Sequence, residues 1–369
     1  MPNPFEPILK DIFRVSDTCN AYLIVRNDRA IAIDPGSGTW LEHLDEIGVK
    51  HLDWVLLTHT HRDQCAGLYR LTRKTTQLAV PAIERHLVED VETFWHSRQV
   101  YHNYNQVDDF LSLPRSVPVD RALEDFDVFE WQDLRLEVVP APGHSPGHIA
   151  LTGQLGGKRI AFTGDMIEAP HHTPSVHCTQ YGYCDTAGGT LLIHSLHHLL
   201  EHEPDLLLPG RGPIIDQPKQ ACENLIASLR GFCREMYGEP ETADQQGFRP
   251  LSPRLLTSQS GCCSFYVVLN GKGHAVLIDV GYPHGIFGAS LHSFGYRTRF
   301  LPTALNILRK QHGVTNIDAV LVTHYHDDHI IGIPYLQKKF GTPVWCLDRI
   351  APILRRPTEF NMPCPSPAR

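Results

Sequence analysis

The sequence predicts an α/β protein in which the front part of one domain is repeated after a linker. Apolar runs of strand length alternate along the chain with segments of helical periodicity. Residues 56–64 read LLTHTHRDQ and residues 321–329 read LVTHYHDDH, so His-x-His-x-Asp follows an apolar run twice. The elements that precede the first copy recur in the same order before the second. Together these observations indicate a duplicated architecture of strands and helices.

The first half, residues 1–236, is predicted to contain strands and helices throughout. Residues 20–34 indicate two short strands joined by a polar turn, and an amphipathic helix follows near 39–48. The continuous apolar run at 52–58 is typical of a buried strand, so HTHRDQ is the loop that leaves its carboxyl end. The pattern further predicts helices at about 64–74, 81–97, 188–202 and 216–236, and strands at about 134–140, 149–153, 159–163 and 205–210.

The second half repeats the opening of the first. Residues 237–254 are rich in proline, glycine and charge and lack periodicity, which predicts a linker. A partial second domain is then expected over residues 255–369. In it, a strand pair at 264–279 and a helix near 302–312 lead to the second histidine run.

Pairs of matching residues align the two copies. His59 corresponds to His324 at a separation of 265 residues (324 − 59), and Gly67 and Gly332 show the same separation. Asp34 corresponds to Asp279 at a separation of 245 (279 − 34), so the second copy carries 20 extra residues in its early loop. The sequence therefore predicts an internal duplication.

Composition restricts the partners of this chain. Of its 369 residues, 42% are hydrophobic and 20% are charged, and the formal charge of −8 argues against a general basic surface for nucleic acid. The N-terminal stretch MPNPFEPILKDIFRV lacks a signal-peptide core, and no run approaches the roughly 20 apolar residues of a membrane span. The ten cysteines are scattered and indicate reduced thiols. We expect a cytoplasmic protein that acts on a small molecule, without a nucleic-acid or membrane partner.

Histidines and carboxylates follow several predicted strands of the first half. His59 and His61 can converge on one cation, because imidazole is the commonest metal ligand. Asp63, two positions later, can reach a second cation or a bound water. APGHSPGH then places His144 in a turn after a strand, FTGDM places Asp165 at a strand end, and LLPGRGP makes a third such turn. In this order the segments predict a metal site.

With these spacings, HTHRDQ, APGHSPGH, FTGDM and LLPGRGP resemble the metallo-β-lactamase superfamily, most closely its glyoxalase II-like hydrolases. The resemblance covers nearly all of residues 10–235 and restarts near residue 255. It implies an αββα sandwich with the metal site at the edge of the two sheets. It also implies that His59, His61 and His144 match the three ligands of a first metal. Asp165 matches a carboxylate that bridges two metals, and Asp63 matches a ligand of the second metal. Asp34 matches a carboxylate that orients the histidines.

The sequence departs from the family pattern at the second metal. The family normally has histidines where this chain has Gln64 and Arg211. A neutral amide is a poor ligand, and a guanidinium has no lone pair to donate. Asp63 and Asp165 alone are too few for a tight zinc site. We therefore expect about one Zn²⁺ in the first domain, held by the three histidines with help from Asp165, with Fe as the alternative metal. Arg211 would replace the second ion by a fixed positive charge.

One metal is sufficient for hydrolysis. Three histidines and an open position can lower the pKa of bound water to about 7, and Asp63 could accept a proton from that water. The sequence therefore predicts a hydrolase that uses a metal-bound hydroxide on an ester, thioester, lactone or phosphoester. Arg211 would either only hold its loop together or also clamp an anionic group of the substrate. Two other functions stay open: a mononuclear iron oxidoreductase similar to the persulfide dioxygenases of this superfamily, and a non-catalytic member that serves binding or assembly.

The second copy contains the complete HxHxDH pattern in His324, His326, Asp328 and His329. The histidine that matches His144 would lie 85 residues after His324, at about position 409, and no GH or GD pair occurs after residue 329. We expect the front part of a second such domain, with an incomplete metal site. A half-domain of this kind would leave a sheet edge and an apolar face uncovered, which favours self-association.

The segment 171–184, HHTPSVHCTQYGYC, contains three histidines and two cysteines. One of the histidines could replace a missing ligand, or they could form a separate zinc site with Cys178 and Cys184. The spacing fits no standard zinc motif, so an ordinary polar loop is the favoured interpretation.

Overall fold

The structure is a computed structural model that describes residues 3–97, 113–179, 187–237, 247–258, 265–281, 301–356 and 359–360. Within these residues the strands form three sheets, of which the first half contains two and the second half one. None of the helices in these ranges combines the length and the apolar character that a membrane crossing requires.

The first sheet has seven strands that follow one another in chain order. Its first four strands are antiparallel neighbours, and the pairs from the fourth strand onward are parallel. The parallel pairs need crossover connections, which bring each strand back to the same end of the sheet. The strands are β1 Phe5–Leu9, β2 Ile12–Ser16, β3 Asn20–Arg26, β4 Arg29–Ile33, β5 His51–Leu56, β6 Gln77–Pro81 and β7 Arg121–Leu123.

The second sheet has five strands that neighbour one another in chain order, and only the last two strands along the chain form a parallel pair. These strands are β8 Val128–Trp131, β9 Leu134–Pro140, β10 Ile149–Leu155, β11 Lys158–Gly164 and β12 Leu206–Pro209. The two sheets face each other across an apolar core. Tyr22 and Ile31 of the first sheet meet Phe129 and Phe162 of the second, and all four side chains are buried.

Helices cover the outer faces of both sheets. They are α1 Arg62–Cys65, α2 His86–Glu89, α3 Val91–Ser97, α4 Ala187–Glu201 and α5 Pro218–Tyr237, with 3₁₀ segments at Thr39–Ile47, Ala66–Arg70, Ala82–Glu84 and His177–Thr179. Trp40 and Val88 pack on the outer face of the first sheet, and Leu192 and Leu225 on that of the second. The four layers confirm the predicted αββα sandwich.

Several helices are shorter than the sequence pattern indicates. The predicted amphipathic helix at 39–48 is a 3₁₀ helix between Gly38 and Gly48, whose φ angles are 72° and 74°. The pattern at 81–97 resolves into Ala82–Glu84, α2 and α3, because Asp90 has φ −133° and ψ 52°, outside the helical region. The pattern at 64–74 likewise divides into α1 and a 3₁₀ turn.

The sheet of the second half has six strands in the same order as β1–β6. Its strands are β13 Phe248–Ser252, β14 Leu255–Ser258, β15 Tyr266–Leu269, β16 His274–Ile278, β17 Asn316–Val322 and β18 Val344–Cys346, and its helices are α6 Leu301–His312, α7 Asp327–Ile330, α8 Ile333–Phe340 and α9 Ala351–Arg355. The duplication extends to backbone detail. Asp34 after β4 and Asp279 after β16 both lie in the left-handed region, with φ 52° and 59°, which aspartate tolerates.

The sheet of the second half begins earlier in the chain than the sequence predicts. The stretch 237–254 was expected to be a linker, yet β13 lies within it, and residues 238–246 lie outside the described part of the chain. Phe248 is buried and packs on Phe265 with ring centroids 5.3 Å apart. A single buried apolar residue among prolines and charges gives no periodicity to the sequence, but its burial is enough to join this strand to the second core.

The two halves pack against each other through α4. Leu191 of α4 is buried within the apolar core of the second half. Asn306 of α6 donates a hydrogen bond to Glu201 at the end of α4. Tyr335 contacts Phe126 with ring centroids 5.0 Å apart. The partial second domain is therefore attached to the second sheet side of the sandwich rather than isolated.

One face of the second half is open to solvent. In the first half, Ile24, Leu56 and Ala79 lie on the face that packs against the second sheet, and each is 0% exposed. Their counterparts by strand register are Val268, Leu321 and Trp345, which are 39%, 36% and 65% exposed. The predicted uncovered apolar face is thus present among the described residues.

Candidate metal centre

Loops that follow four strands meet at one edge of the sandwich. The loop after β5 carries the HTHRDQ residues, and the turn after β9 carries APGHSPGH. Asp165 directly follows β11, and Arg211 follows β12. These strand ends therefore bring residues that are distant in sequence to a single place.

Three histidines form the centre of this place. The ligand atoms of His59, His61 and His144 all lie within 4.8 Å of one another, and each residue is buried. His61 Nδ1 is 3.0 Å from His144 Nε2. His59 Nε2 is buried and has no hydrogen-bond partner among the described residues. Burying a polar atom without a partner is costly, so these donors fit a metal ion better than they fit a closed protein core.

Burial also sets the protonation of the three imidazoles. It lowers the pKa of His59 and His144 well below the usual range, with the neighbouring histidines adding to the effect. Burial, followed by the positive charge of Arg211, lowers the pKa of His61 to about 3. The neutral imidazoles keep lone pairs that a cation can accept at neutral pH.

Asp165 is the buried carboxylate beside the histidines. Its Oδ2 lies 3.4 Å from His144 Nε2, and its Oδ1 accepts a hydrogen bond of 2.8 Å from Gln64 Nε2. Its backbone N–H donates to His148 Nε2 at 3.1 Å, and the His148 ring stacks on His59. Burial, with Asp34 and Glu168 adding negative charge nearby, raises the pKa of Asp165 well above its usual range.

Arg211 occupies the space between two carboxylates. Its Nε lies 3.2 Å from Asp165 Oδ2, and its Nη2 pairs with Asp63. The side chains of Arg211 and Asp63 are about one third exposed, so this pair lies at the mouth of the site. The structure therefore brings together the six residues proposed from the sequence: His59, His61, Asp63, His144, Asp165 and Arg211.

Asp34 reaches the histidines through Thr58 rather than directly. Its two oxygens accept hydrogen bonds from Thr58 N at 2.8 Å and Thr58 Oγ1 at 2.7 Å. Since the hydroxyl proton points to Asp34, Thr58 Oγ1 accepts from His59 Nδ1 at 3.1 Å, which leaves the Nε2 lone pair facing the site. Burial raises the pKa of Asp34 to about 7, against the opposing effect of the Thr58 hydrogen bonds.

The second half repeats this relay. Thr323 N and Oγ1 donate to Asp279 at 2.8 and 2.6 Å, and Thr323 Oγ1 lies 3.0 Å from His324 Nδ1. Ligand atoms of Asp279, His324 and His329 come within 4.8 Å of one another, but His329 Nδ1 is already 2.8 Å from Asp279 Oδ2. The His326 ring lies beside His324 with centroids 4.7 Å apart and is exposed, and the side chain of Asp328 lies outside the described atoms.

The segment 171–184 contributes no cluster within the described residues. His171, His172 and His177 are exposed, and His171 Nδ1 contacts Ser228 Oγ at 3.1 Å. Cys178 is buried, while Cys184 lies outside the described part of the chain. Within that part, the groups of three or more side chains able to hold a metal include no residue of this segment.

Three residues of the site were not singled out from the sequence: Thr58, Glu84 and His148. Thr58 directly precedes His59, and His148 lies in the same APGHSPGH segment as His144. Both residues therefore belong to segments that the sequence already indicates as parts of the site. Glu84 stands in the turn after β6, where a single charged residue indicates only a surface position. Its burial to 2% exposure appears only in the fold.

Comparison with known proteins adds to this geometry. The family model described as the metallo-beta-lactamase superfamily matches residues 15–212 and 261–362. Hydroxyacylglutathione hydrolase of Aeromonas salmonicida is 29% identical over 147 residues, which are 40% of this chain and 45% of that protein. The beta-lactamase-like protein 2 homolog of Drosophila melanogaster is 24% identical over 208 residues, 54% of this chain and 60% of that protein. The chain thus spans about half the length of these curated relatives.

The fold has a match among solved structures. The metallo-β-lactamase MIM-1 of Novosphingobium pentaromativorans aligns with a TM-score of 0.50 at 18% identity, over 62% of this chain and 89% of that one. At this identity the match supports the αββα fold alone.

Proposed function

The chain belongs to the metallo-β-lactamase superfamily, and from that premise we propose that its first half is a zinc-dependent hydrolase with a single metal ion. The observation that carries the proposal is the group of three buried imidazoles, His59, His61 and His144, whose ligand atoms all lie within 4.8 Å of one another. Three histidines and an open position are a common donor set for catalytic zinc.

The contacts of Asp165 support one metal ion rather than two. Gln64 donates to one of its oxygens and Arg211 to the other. Arg211 also pairs with Asp63, so a fixed guanidinium neutralises the two carboxylates that a second cation would otherwise join. Without this charge, repulsion between the two carboxylates would favour protonation of one of them.

The residues at the mouth of the site would handle the proton and the substrate. When bound, a zinc ion supplies Lewis acidity toward a carbonyl or phosphoryl oxygen and lowers the pKa of a coordinated water. Asp63 lies at the exposed side of the site and would accept a proton from the attacking water. Asp165 would hold His144 and share in binding the ion.

Arg211 is proposed to clamp an anionic group of the substrate. Its loop is held independently, because Asn20 Nδ2 donates to the carbonyls of Pro209 and Gly212 at 3.0 and 2.9 Å and Tyr22 Oη donates to Pro209 at 2.7 Å. Because these contacts already hold the loop, Arg211 is not needed for that purpose alone. A guanidinium has five N–H donors, which is more than its two carboxylate partners require.

Thioesters with an anionic group are our first choice among the substrates. This choice draws on the relatives named hydroxyacylglutathione hydrolase and on the exposed cation at the mouth of the site. Esters, lactones and phosphoesters would be hydrolysed by the same chemistry, so they belong to the same test.

The test combines metal analysis with a substrate panel. The purified full chain should contain about one zinc ion, and it should hydrolyse at least one ester, thioester, lactone or phosphoester in a reaction that chelation stops and zinc restores. Iron in place of zinc, with oxygen consumption on a persulfide, would instead identify an oxidoreductase. Full zinc occupancy without turnover on any member of the panel would identify a binding protein.

A further inference from the structure

Glu84 is a buried carboxylate that contacts both loops of the metal centre. It ends the 3₁₀ turn after β6 and is 2% exposed. Its Oε2 accepts hydrogen bonds from the backbone N–H and the hydroxyl of Thr60, each at 2.9 Å. Its Oε1 accepts from Ser145 Oγ at 2.5 Å and from Gly147 N at 2.8 Å. Each carboxylate oxygen therefore serves one loop.

The residues that Glu84 holds are adjacent to the ligands. Thr60 stands between His59 and His61, and Ser145 directly follows His144. A shift of Thr60 or Ser145 would therefore move a ligand, since each of these residues is directly bonded to a ligand residue through one peptide bond. The two loops are far apart in sequence. Glu84 adds four hydrogen bonds to the direct contact between His61 Nδ1 and His144 Nε2.

A simple packing role does not explain a carboxylate at this position. Within the described part of the chain, no arginine, lysine or histidine forms an ion pair with Glu84. Only four neutral hydrogen-bond donors compensate for burying this carboxylate. Burying a charged group is costly when its hydrogen bonds are incomplete. Two of these donors are backbone N–H groups, one on each oxygen, and these can only donate. The site therefore requires two acceptor oxygens.

Gly147 permits this close approach. A Cβ atom at this position would lie 2.4 Å from Glu84 Cγ, closer than non-bonded carbon atoms come. The second glycine of GHSPGH thus serves the contact with Glu84, in addition to any role in the turn.

We propose that Glu84 is a positioning residue that sets the distance between the His59–His61 loop and the His144 turn before the metal binds. The proposal rests on the metal centre proposed above. A preset arrangement of donors avoids the cost of ordering two loops on binding. Because Glu84 acts through Thr60 and Ser145, it affects the affinity and the coordination geometry without touching the ion.

The experiment is the isosteric substitution Glu84→Gln in the full chain. The glutamine oxygen can serve one loop, but its NH₂ group must then face a backbone N–H of the other loop, which cannot accept. We expect metal affinity, measured by competition with a chromophoric zinc chelator, to fall by roughly 10–100-fold. The visible absorption of the Co²⁺-substituted protein should change as well, because it reports the coordination geometry.

The matched control is Glu89→Gln, the same change on the exposed face of α2 where Glu89 pairs with Arg85, and it should leave both readouts unchanged. If Glu84→Gln lowers the melting temperature of the metal-free protein while the affinity and the Co²⁺ spectrum stay the same, Glu84 is only structural and the proposal is wrong.

If Glu84→Gln does not fold, Ser145→Ala removes one of the four donors, and we then expect a smaller loss of affinity; unchanged affinity in that variant also contradicts the proposal. Absence of metal binding by the unmodified chain would refute the metal centre itself, which is a separate result.

Discussion

Replacing His144 by alanine is expected to reduce the metal content of the whole chain from about one ion to close to zero. His59 and His61 would remain as two buried neutral donors, and Asp165 would lose the imidazole that lies 3.4 Å from its Oδ2. Two imidazoles from one loop do not hold zinc tightly without a third protein ligand. Hydrolysis of any substrate found in the panel should fall to the background rate, since the remaining residues cannot activate water alone.

Metal content by mass spectrometry and zinc affinity by chelator competition measure this effect. The matched control is His324→Ala, the same substitution in the second copy, which we expect to leave the metal content unchanged. One ion retained by the His144→Ala variant would place the binding site elsewhere in the chain. Loss of metal in the control would show that the second half contributes ligands, contrary to our expectation of an incomplete site there.

The double substitution Gln64→His with Arg211→His is expected to add about one zinc ion to the protein. It removes the amide and the guanidinium that now donate to the two oxygens of Asp165, at 2.8 and 3.2 Å. It also frees Asp63 from its ion pair with Arg211. Two imidazoles and two carboxylates would then face the same space, which gives enough donors for a second ion.

Each single variant provides a control for this result. Arg211→His alone removes the compensating charge but keeps the Gln64 contact, and Gln64→His alone keeps the charge, so neither should bind a second ion tightly. A folded double variant with unchanged metal content would contradict our view that these two residues account for the loss of the second site. It would mean that the backbone around Asp63 and Asp165 has also moved away from a two-metal geometry.

The positions of the proposed ligands were predictable because they follow from local sequence. Each proposed ligand comes just after an apolar run, and strand ends are where such a fold gathers its functional groups. The contacts that hold the ligands are not local. Glu84 is 24 residues from Thr60 and 61 from Ser145. Nothing in the residues around Glu84 indicates those partners, so only the packed structure reveals the contact.

The boundaries of elements were less predictable than their existence. The apolar run at 52–58 and the pattern at 188–202 correspond to β5 and α4 within a few residues. The pattern at 81–97 predicts one continuous helix, because periodicity does not show that Asp90 leaves the helical region. The strand β13 was missed because Phe248 is its one buried residue. Burial of Phe248 against the core of the second half decided the second outcome.

The open face of β13–β18 has a thermodynamic consequence. The heat-capacity increase on unfolding grows with the apolar surface that unfolding newly exposes to water. Val268, Leu321 and Trp345 already meet water in the folded chain, so they add less to this increase than the enclosed Ile24, Leu56 and Ala79 of the first half. Residue for residue, the free energy of unfolding of the second half is therefore expected to curve less with temperature than that of the closed sandwich beside it.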